Sequence, residues 1–463
     1  MGAFDTFLRL AYFTVMKHSV CRPALALACF LAAARAWAWG PHPDITAAAV
    51  AAVGPEAPLA HVLGAETERL RATCWMPDIW MQLSDFYADD YLFTPQRPTH
   101  LQTSHAFVGP DGKVGAHTQG MFDLYFRRAL QALRTETPAN AARWIGALLH
   151  FTEDTGAPPH AIVESGPLHS PMENWVDGKK VSIAGYVPKV LGSDDDQAAA
   201  AFWQNQERLH AFVLERAPRI KALAAANNRA EAEPLVLECA DASARNAADL
   251  LATLGALAAK GPKGGELRGR VTGATVDGPL GKVPAKVMLE GTGFSTLADS
   301  EGVYAFRNLP AGPYRLLAAR PGNEVFSGPV AVGGAVTTAD IGLAPARVKG
   351  NLLRNPALSL RWASSDHVDM WYKNRKVGWR SEAVPVTPGV SYRLEVERRA
   401  PGAKVTVFWS THEREGAQTA GPVLPPTEAR LAAAAPAGVK YAFVAVECSG
   451  LPNEALAYVA LAD

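Results

Sequence analysis

Between Leu149 and Gly178 the chain reads LHFTEDTGAPPHAIVESGPLHSPMENWVDG. Three histidines in this stretch are each followed four residues later by a carboxylate: His150–Asp154, His160–Glu164 and His169–Glu173. Side chains four apart on a helix share a face and lie close enough to hold one ion. Neutral imidazole and carboxylate are the ligands zinc accepts where no thiolate is offered. A single such pair is ordinarily a surface pair, but several within 24 residues point to a metal centre. The break at Gly156-Ala157-Pro158-Pro159 must end any helix through His150. It should also turn the chain so that His160 returns towards the same place. Pro171 is compatible with a first helical turn carrying His169 and Glu173, whereas nothing indicates a helix between His160 and Glu164.

The elements that must position these groups follow from periodicity. Apolar residues recur at helical spacing over Thr118–Arg134, Pro138–Glu153, Gln197–Arg216 and Leu235–Ala258. Thr137 suits an N-cap followed by a first-turn proline. RWIGALLH at 143–150 is apolar nearly all round, as a central buried helix should be. Residues 39–259 are therefore expected to form an all-α domain. KGPKGG at 260–265 reads as a linker, after which short Val- and Thr-rich runs between Gly/Pro turns predict strands. Two all-β sandwich modules are expected, at 266–344 and 350–463. In the second, NLLRNPALSLRW, VPVTPGVSYRLEVER, AKVTVFWS and KYAFVAVECSG read as strands. Its Trp362, Trp371, Tyr372 and Trp379 are either a carbohydrate- or surface-binding platform or core and edge aromatics.

The remaining features bound the function. Lys+Arg and Asp+Glu are equal at 45 each, which removes any bulk electrostatic case for duplex nucleic acid or an anionic membrane surface as the target of the chain as a whole. From Met16 a basic start (Lys17, Arg22), an apolar run and the small-x-small site Ala36-Trp37-Ala38 read as a secretory signal peptide. Residues 1–38 would be removed, with 1–15 an upstream extension of the start, and the mature chain would be secreted or periplasmic and begin at Trp39. A lipoprotein reading at Cys29 is weak because Ala26 stands where Leu is wanted. Of the mature cysteines, Cys74 and Cys239 could bridge in an oxidising compartment, leaving Cys448 free. No CxxC pair exists, so metal would be held by His and carboxylate. Nine of the 12 histidines (42, 61, 100, 105, 117, 150, 160, 169 and 210) fall in the helical half, so chemistry belongs there.

His150-x3-Asp154-x5-His160, followed by His169-x3-Glu173-Asn174, resembles the bacterial zinc-dependent phospholipase C family. So do Trp39 and His42 in WGPH, Asp78 in CWMPDIW, and SHAFVGPDGK at 104–113. The segment 266–344 resembles the carboxypeptidase-regulatory-like (transthyretin-like) sandwich. It has Asp299-x-x-Gly302-x-Tyr304-x-Phe306, then Leu309-Pro310-x-Gly312-x-Tyr314. The first resemblance implies a catalytic domain with three zinc ions and a phospholipid or other phosphodiester substrate. Asp78, His105, His150 and Asp154 would hold one ion, and His160, His169 and Glu173 a second. The amine and carbonyl of Trp39, with His42 and a bridging Asp154, would hold the third. Clustered zinc would neutralise the phosphodiester, acidify a water and stabilise the leaving oxygen. Asp78 would be the general base or water-orienting group. His100 competes with His105, and Ile79 stands where choline-hydrolysing members carry an aromatic.

A single-strand nuclease or nucleotidase is the second enzymatic reading, since that family shares fold and site; it usually ends the motif with His-x3-Asp, and Glu173 here leans towards phospholipase C. A non-catalytic zinc-containing surface-binding protein is the third. A monomer is expected. His61, His117 and His210 are expected to be ordinary helix or loop residues, Glu164 a solvated side chain, and Asp194–Asp196 a solvated loop or helix start. Asp85, Asp89 and Asp90 could add a carboxylate behind the metal ligands.

Overall fold

The computed structural model describes residues 41–74, 77, 107–108, 113–114 and 116–463, apart from 177, 262, 277–280, 282, 293, 361–367, 369, 375–377 and 412–417. A helical region precedes the β modules. Its helices are α1 (His42–Val53), α2 (Pro58–Leu63), α3 (Arg69–Thr73), α4 (Ala116–Thr135), α5 (Pro138–Asp154), α6 (Pro158–Ala161), α7 (His169–Asn174), α8 (Asp195–Leu214), α9 (Ala217–Ala225) and α10 (Arg229–Ala259). Among the described residues, no single helix is long and apolar enough to cross a membrane.

Helix α5 is the axis of this region. Thr137 caps it by accepting from the Asn140 amide at 3.4 Å, with Pro138 in the first turn, where its missing N–H costs nothing. Its sequence is apolar nearly all round because neighbours surround it: α4, α3, α10 and α1 all pack against it. Leu148, Leu149 and Phe151 are almost wholly buried, each worth about 2 kcal/mol of apolar transfer. The helix stops at Asp154, before Pro158 and Pro159. Gly146 allows α3 to press against it, since a Cβ there would lie 2.1 Å from the Thr73 hydroxyl.

The first β module contains β1 (Gly265–Thr272), β2 (Lys286–Leu289), β3 (Ser295–Leu297), β4 (Val303–Leu309), β5 (Gly312–Ala319), β6 (Phe326–Val332), β7 (Val336–Thr338) and β8 (Ile341–Gly342). One sheet runs β4-β1-β7 with β8 also on β1, the other β3-β2-β5-β6. Alternation along β4 puts Tyr304 and Phe306 into the shared core with Leu267, Val287 and Leu316. The turn before β4 needs Gly302: φ is +80°, and Asp299 Oδ1 accepts from the Glu301 and Val303 amides at 2.9 and 2.8 Å. Gly312 simply starts β5, without the left-handed φ that a glycine turn would show.

The second module contains β9 (Trp371–Asn374), β10 (Gly378–Ser381), β11 (Val384–Pro385), β12 (Ser391–Arg398), β13 (Lys404–Ser410), β14 (Gln418–Leu424), β15 (Arg430–Ala434), β16 (Tyr441–Glu447) and β17 (Leu456–Ala462). Its sheets run β14-β13-β16-β10-β9 and β15-β12-β17. The expected strand over 351–362 is absent from its described part, residues 351–360. There the chain loops around Arg354, which is fully buried and bonded to Glu382 at 2.8 Å, while Leu358 takes φ of 52°. Of the two readings of the aromatics, Trp371 and Trp379 take the core one: they are 1% and 6% exposed, and Trp379 Nε1 donates to the Gly450 carbonyl. Trp362 and the Tyr372 side chain lie outside the described residues.

Cys74 and Cys239 are not bridged. Cys74 sits at the end of α3 in the main helical core, whereas Cys239 packs with Met172, Val213 and Ile220 in a separate cluster. The helical region and first module meet through polar contacts. Arg128 donates to Ser295 Oγ at 2.9 Å, Arg307 Nε to the Glu136 carbonyl at 2.9 Å, and Asn140 to Thr296 Oγ1.

Candidate metal centre

His42 and Thr46 lie one turn apart on α1, so both face α5. There they meet Glu153: His42 Nδ1 donates to Glu153 Oε2 and Thr46 Oγ1 to Glu153 Oε1, each at 2.6 Å. On α5 the His150 ring donates through Nδ1 to the Cys74 carbonyl at 2.8 Å. At the helix end Asp154 is the hub. Its Oδ1 lies 3.3 Å from His42 Nε2 and 3.5 Å from His160 Nδ1, and its Oδ2 3.1 Å from His150 Nε2.

Beyond the bend, short α6 carries His160, whose Nε2 lies 2.9 Å from Glu173 Oε1. On α7, His169 Nε2 reaches the same oxygen at 3.0 Å, while its Nδ1 donates to the Glu164 carbonyl. The donor atoms therefore gather in two groups, His42–His150–Asp154 and His160–His169–Glu173, with all atoms in each group within 4.8 Å of one another. His160 links the groups by facing a carboxylate from each.

The hydrogen bonds fix what these rings can do. In His42, His150 and His169, Nδ1 carries the proton given to an oxygen acceptor. The Nε2 of each neutral ring is then a lone pair aimed at a carboxylate oxygen, two acceptors 3.0–3.3 Å apart. Such an arrangement is stable only with a cation among the acceptors, either a proton or a metal. The outer acceptors also have the form that orients metal-binding histidines. The donor set thus fits a divalent metal that takes nitrogen and oxygen ligands.

The proton affinities follow the same logic. Burial pushes Glu153 up to about 7, with His42 and Thr46 pulling the other way. Burial works against a charged His42 ring, but Asp154 and Glu153 outweigh it and hold its pKa well above the ordinary value. Burial likewise opposes charge at His169, yet the hydrogen bond and charge of Glu173 raise it to about 9. Glu173 would be raised by burial, but His160 and His169 hold it down to about 2. Without metal, the centre collects protons.

Of the residues read from the sequence, His42, His150, Asp154, His160, His169 and Glu173 are brought together. Trp39, Asp78 and His105, with the competitor His100 and with Asp85, Asp89 and Asp90, lie outside the described residues. Glu164 is not a solvated side chain: it pairs with Lys221 at 2.6 Å and accepts from the Gly166 amide at 2.7 Å. Helix α6 ends at Ala161 and Val163 takes φ of 52°, which takes Glu164 off any common helix face with His160. His61 is exposed. His210 is buried, stacks on Phe107 with centroids 4.9 Å apart, and is held below the usual imidazole pKa by burial. Asp194 caps α8, and Asp195 and Asp196 pair with Arg134 and Arg127. The sequence reading missed Glu153, Thr46 and the carbonyls of Cys74 and Glu164. Only Glu153 left a trace, as a carboxylate inside an otherwise apolar buried helix.

No family model matches the chain, and no curated protein matches it. Among solved structures, an alpha toxin from Clostridium absonum aligns with TM-score 0.30 and 13% identity, over 64% of this chain and 96% of that one. The Clostridium perfringens alpha-toxin from avian strain SWCP aligns with TM-score 0.27 and 14% identity, over 64% and 98%. A DUF3823 family protein from Bacteroides ovatus aligns with TM-score 0.16 and 15% identity, over 44% and 96%. Likenesses of this degree add nothing to the geometry.

Proposed function

We propose that the chain is an exported, zinc-dependent phosphoric ester hydrolase of the phospholipase C type. The observation that carries this reading is the pair of buried His/carboxylate groups joined through Asp154 and His160, in which imidazole lone pairs face carboxylates. The sequence resemblance supplies the class of reaction. His42, His150 and Asp154 would hold metal on one side, and His160, His169 and Glu173 on the other. Trp39, Asp78 and His105 are proposed to complete three sites, with cleavage after Ala38 freeing the Trp39 amine. Bound zinc supplies Lewis-acid polarisation of a phosphate ester and acidifies water near neutral pH.

The chain's own residues do the rest. Glu153 and the Cys74 carbonyl fix the tautomers and ring planes of His42 and His150, so that Nε2 of each points inward. Burial of α5 keeps bulk water from the inner groups, and the partly exposed His169 marks an open side. Asp78 is proposed to orient or deprotonate the attacking water.

The test is hydrolysis by zinc-loaded protein beginning at Trp39, offered a phospholipid panel and single-stranded DNA. Release of diacylglycerol is expected. Cleavage of DNA alone would replace this reading with the nuclease one. Turnover of neither would leave a zinc-binding protein without this catalysis.

A further inference from the structure

His169 is held differently from the two inner histidines. His42 and His150 give their Nδ1 protons to acceptors inside the helical core, and their side chains are 0% exposed. The His169 side chain is 35% exposed, so packing does little to fix its ring. Its acceptor is the Glu164 carbonyl, on the short loop 162–168 between α6 and α7. Whatever fixes that loop therefore fixes the direction of His169 Nε2, which faces Glu173 Oε1.

The loop is strained where it leaves α6. Val163 sits at φ of 52°, a left-handed conformation that a β-branched residue keeps only when its surroundings impose it. The Glu164 amide donates back to the Pro159 carbonyl at 2.8 Å, and the Glu164 side chain adds a second hold. Its Oε2 takes Lys221 Nζ at 2.6 Å, and its Oε1 accepts from the Gly166 amide at 2.7 Å. A Cβ at Gly166 would lie 2.6 Å from that Oε1, so glycine lets the carboxylate close on the backbone. The Gly166 carbonyl in turn accepts from the His169 amide at 3.1 Å. Glu164 thus reaches the ring of His169 through its own carbonyl, and the backbone of His169 through Gly166. Lys221 is a fixed anchor, because its helix α9 packs on α6 and α7, with Ala217, Ile220 and Ala224 buried beside Ala161 and Met172. An ion pair whose lysine is half-exposed adds little to global stability, so its effect is local.

We infer that the Glu164–Lys221 pair is a positioning device for His169, holding the outer group His160–His169–Glu173 ready for a metal ion. The inference rests on the metal-binding part of the proposed function and not on the reaction. The experiment titrates mature protein beginning at Trp39 with Zn2+ against a fluorescent chelator. Lys221→Met, Lys221→Arg, His169→Ala and the double variant Lys221→Met/His169→Ala are titrated alongside. His169→Ala marks the outer ion as the one whose binding it removes. Thermal unfolding of each metal-free protein is the control for simple loss of structure, and hydrolysis of bis(p-nitrophenyl) phosphate is followed in parallel.

Lys221→Met should weaken binding of the outer ion about tenfold, the lower end of what losing the support behind a metal ligand costs. The other ions and the metal-free melting temperature should be nearly unchanged. Lys221→Arg, which keeps the charge and the donor, should bind as the unaltered protein does. The double variant should bind no more weakly than His169→Ala alone, because Lys221 acts through His169. Equal binding of the outer ion by Lys221→Met and the unaltered protein would overturn the inference. An equal loss from every ion, or a further loss in the double variant, would do the same. A lower metal-free melting temperature with unchanged affinity would likewise overturn it, making the pair a structural contact only. If His169→Ala removes no ion, the metal-centre reading fails and this inference with it. If ions bind as expected but no ester is turned over, the hydrolase reading fails and the positioning role stands.

Discussion

The two ends of α5 bury charge in opposite ways. At its N-terminal end, Arg128 and Glu136 are 5% and 1% exposed and pair at 2.8 Å, beside Asn140 bonded to Thr296. The cation there is part of the chain. At the C-terminal end Asp154 and, across the bend, Glu173 are equally buried, but three of the imidazoles facing them, His42, His150 and His169, already give their Nδ1 proton to another oxygen. One end is a closed interface holding a β module; among the described residues the other sets its carboxylates against imidazoles, a donor set that fits a cation taken from solution. Burial of ionisable groups is therefore not by itself a sign of chemistry. What distinguishes the centre is which lone pairs are left facing each other.

The largest expected effect comes from removing the hub. Asp154→Asn keeps the volume but withdraws charge from three imidazoles, and zinc content and turnover should both fall, turnover roughly a thousandfold. A variant that kept its zinc and its rate would erase the contrast between the two ends. Removing the metal by chelation should lower the thermal midpoint of the helical region and leave the β modules unaffected, because binding and folding are linked at such sites. Differential scanning calorimetry with and without chelator reads this; an unchanged helical transition would mean that protons alone satisfy the cluster.

Next in size is Glu153→Gln. Its single amide oxygen can still accept from His42, with its NH2 turned to the Thr46 hydroxyl, but it loses charge, so zinc affinity should drop about tenfold to a hundredfold, by competition with a fluorescent chelator. Unchanged affinity would show that Glu153 does not tune His42.

Acidity gives a further contrast. In the metal-free protein, Glu173 is lowered from 4.5 to about 2, so its contribution to stability is present above pH 4.5 and lost as pH falls towards 2. His169 is raised from 6.5 to about 9, so its contribution is full below pH 6.5 and lost as pH rises through 9. The pair should thus stabilise the metal-free protein most between pH 4.5 and 6.5. Zinc must displace the His169 proton, so affinity should rise with pH up to about 9, with proton release detectable by calorimetry in buffers of different ionisation heat. Affinity that fell with pH over that range would contradict this.

The smallest effect on catalysis belongs to the other end. Arg128→Met leaves Glu136 buried without its partner and should cost about 3–5 kcal/mol of stability. Zinc content and turnover of the folded fraction should not change. Loss of zinc there would mean that the two ends are not independent.

What the sequence disclosed follows the same division. Contacts within one helix were legible: His150 with Asp154 and His169 with Glu173 are fixed by the four-residue period. His42 was legible only through family resemblance, because its position depends on how α1 packs against α5. Glu153 was legible only as a carboxylate inside an apolar helix and not as part of the site, because its partners His42 and Thr46 are 111 and 107 residues away. His160–Glu164 had the right spacing and the wrong backbone. In the second module, the apolar run at 351–362 reads as a strand, but its described part is bent into a loop by the buried Arg354–Glu382 pair, a contact spanning 28 residues. Aromatics at 371 and 379 carry no mark in the sequence that separates core from platform.

The most direct measurement is the metal content of protein that begins at Trp39, with Asp154→Asn alongside. Close to three zinc ions per chain are expected, with a clear loss in the variant. At most one ion per chain, or equal content in both proteins, would contradict the reading of Asp154 as the hub of a multinuclear zinc centre.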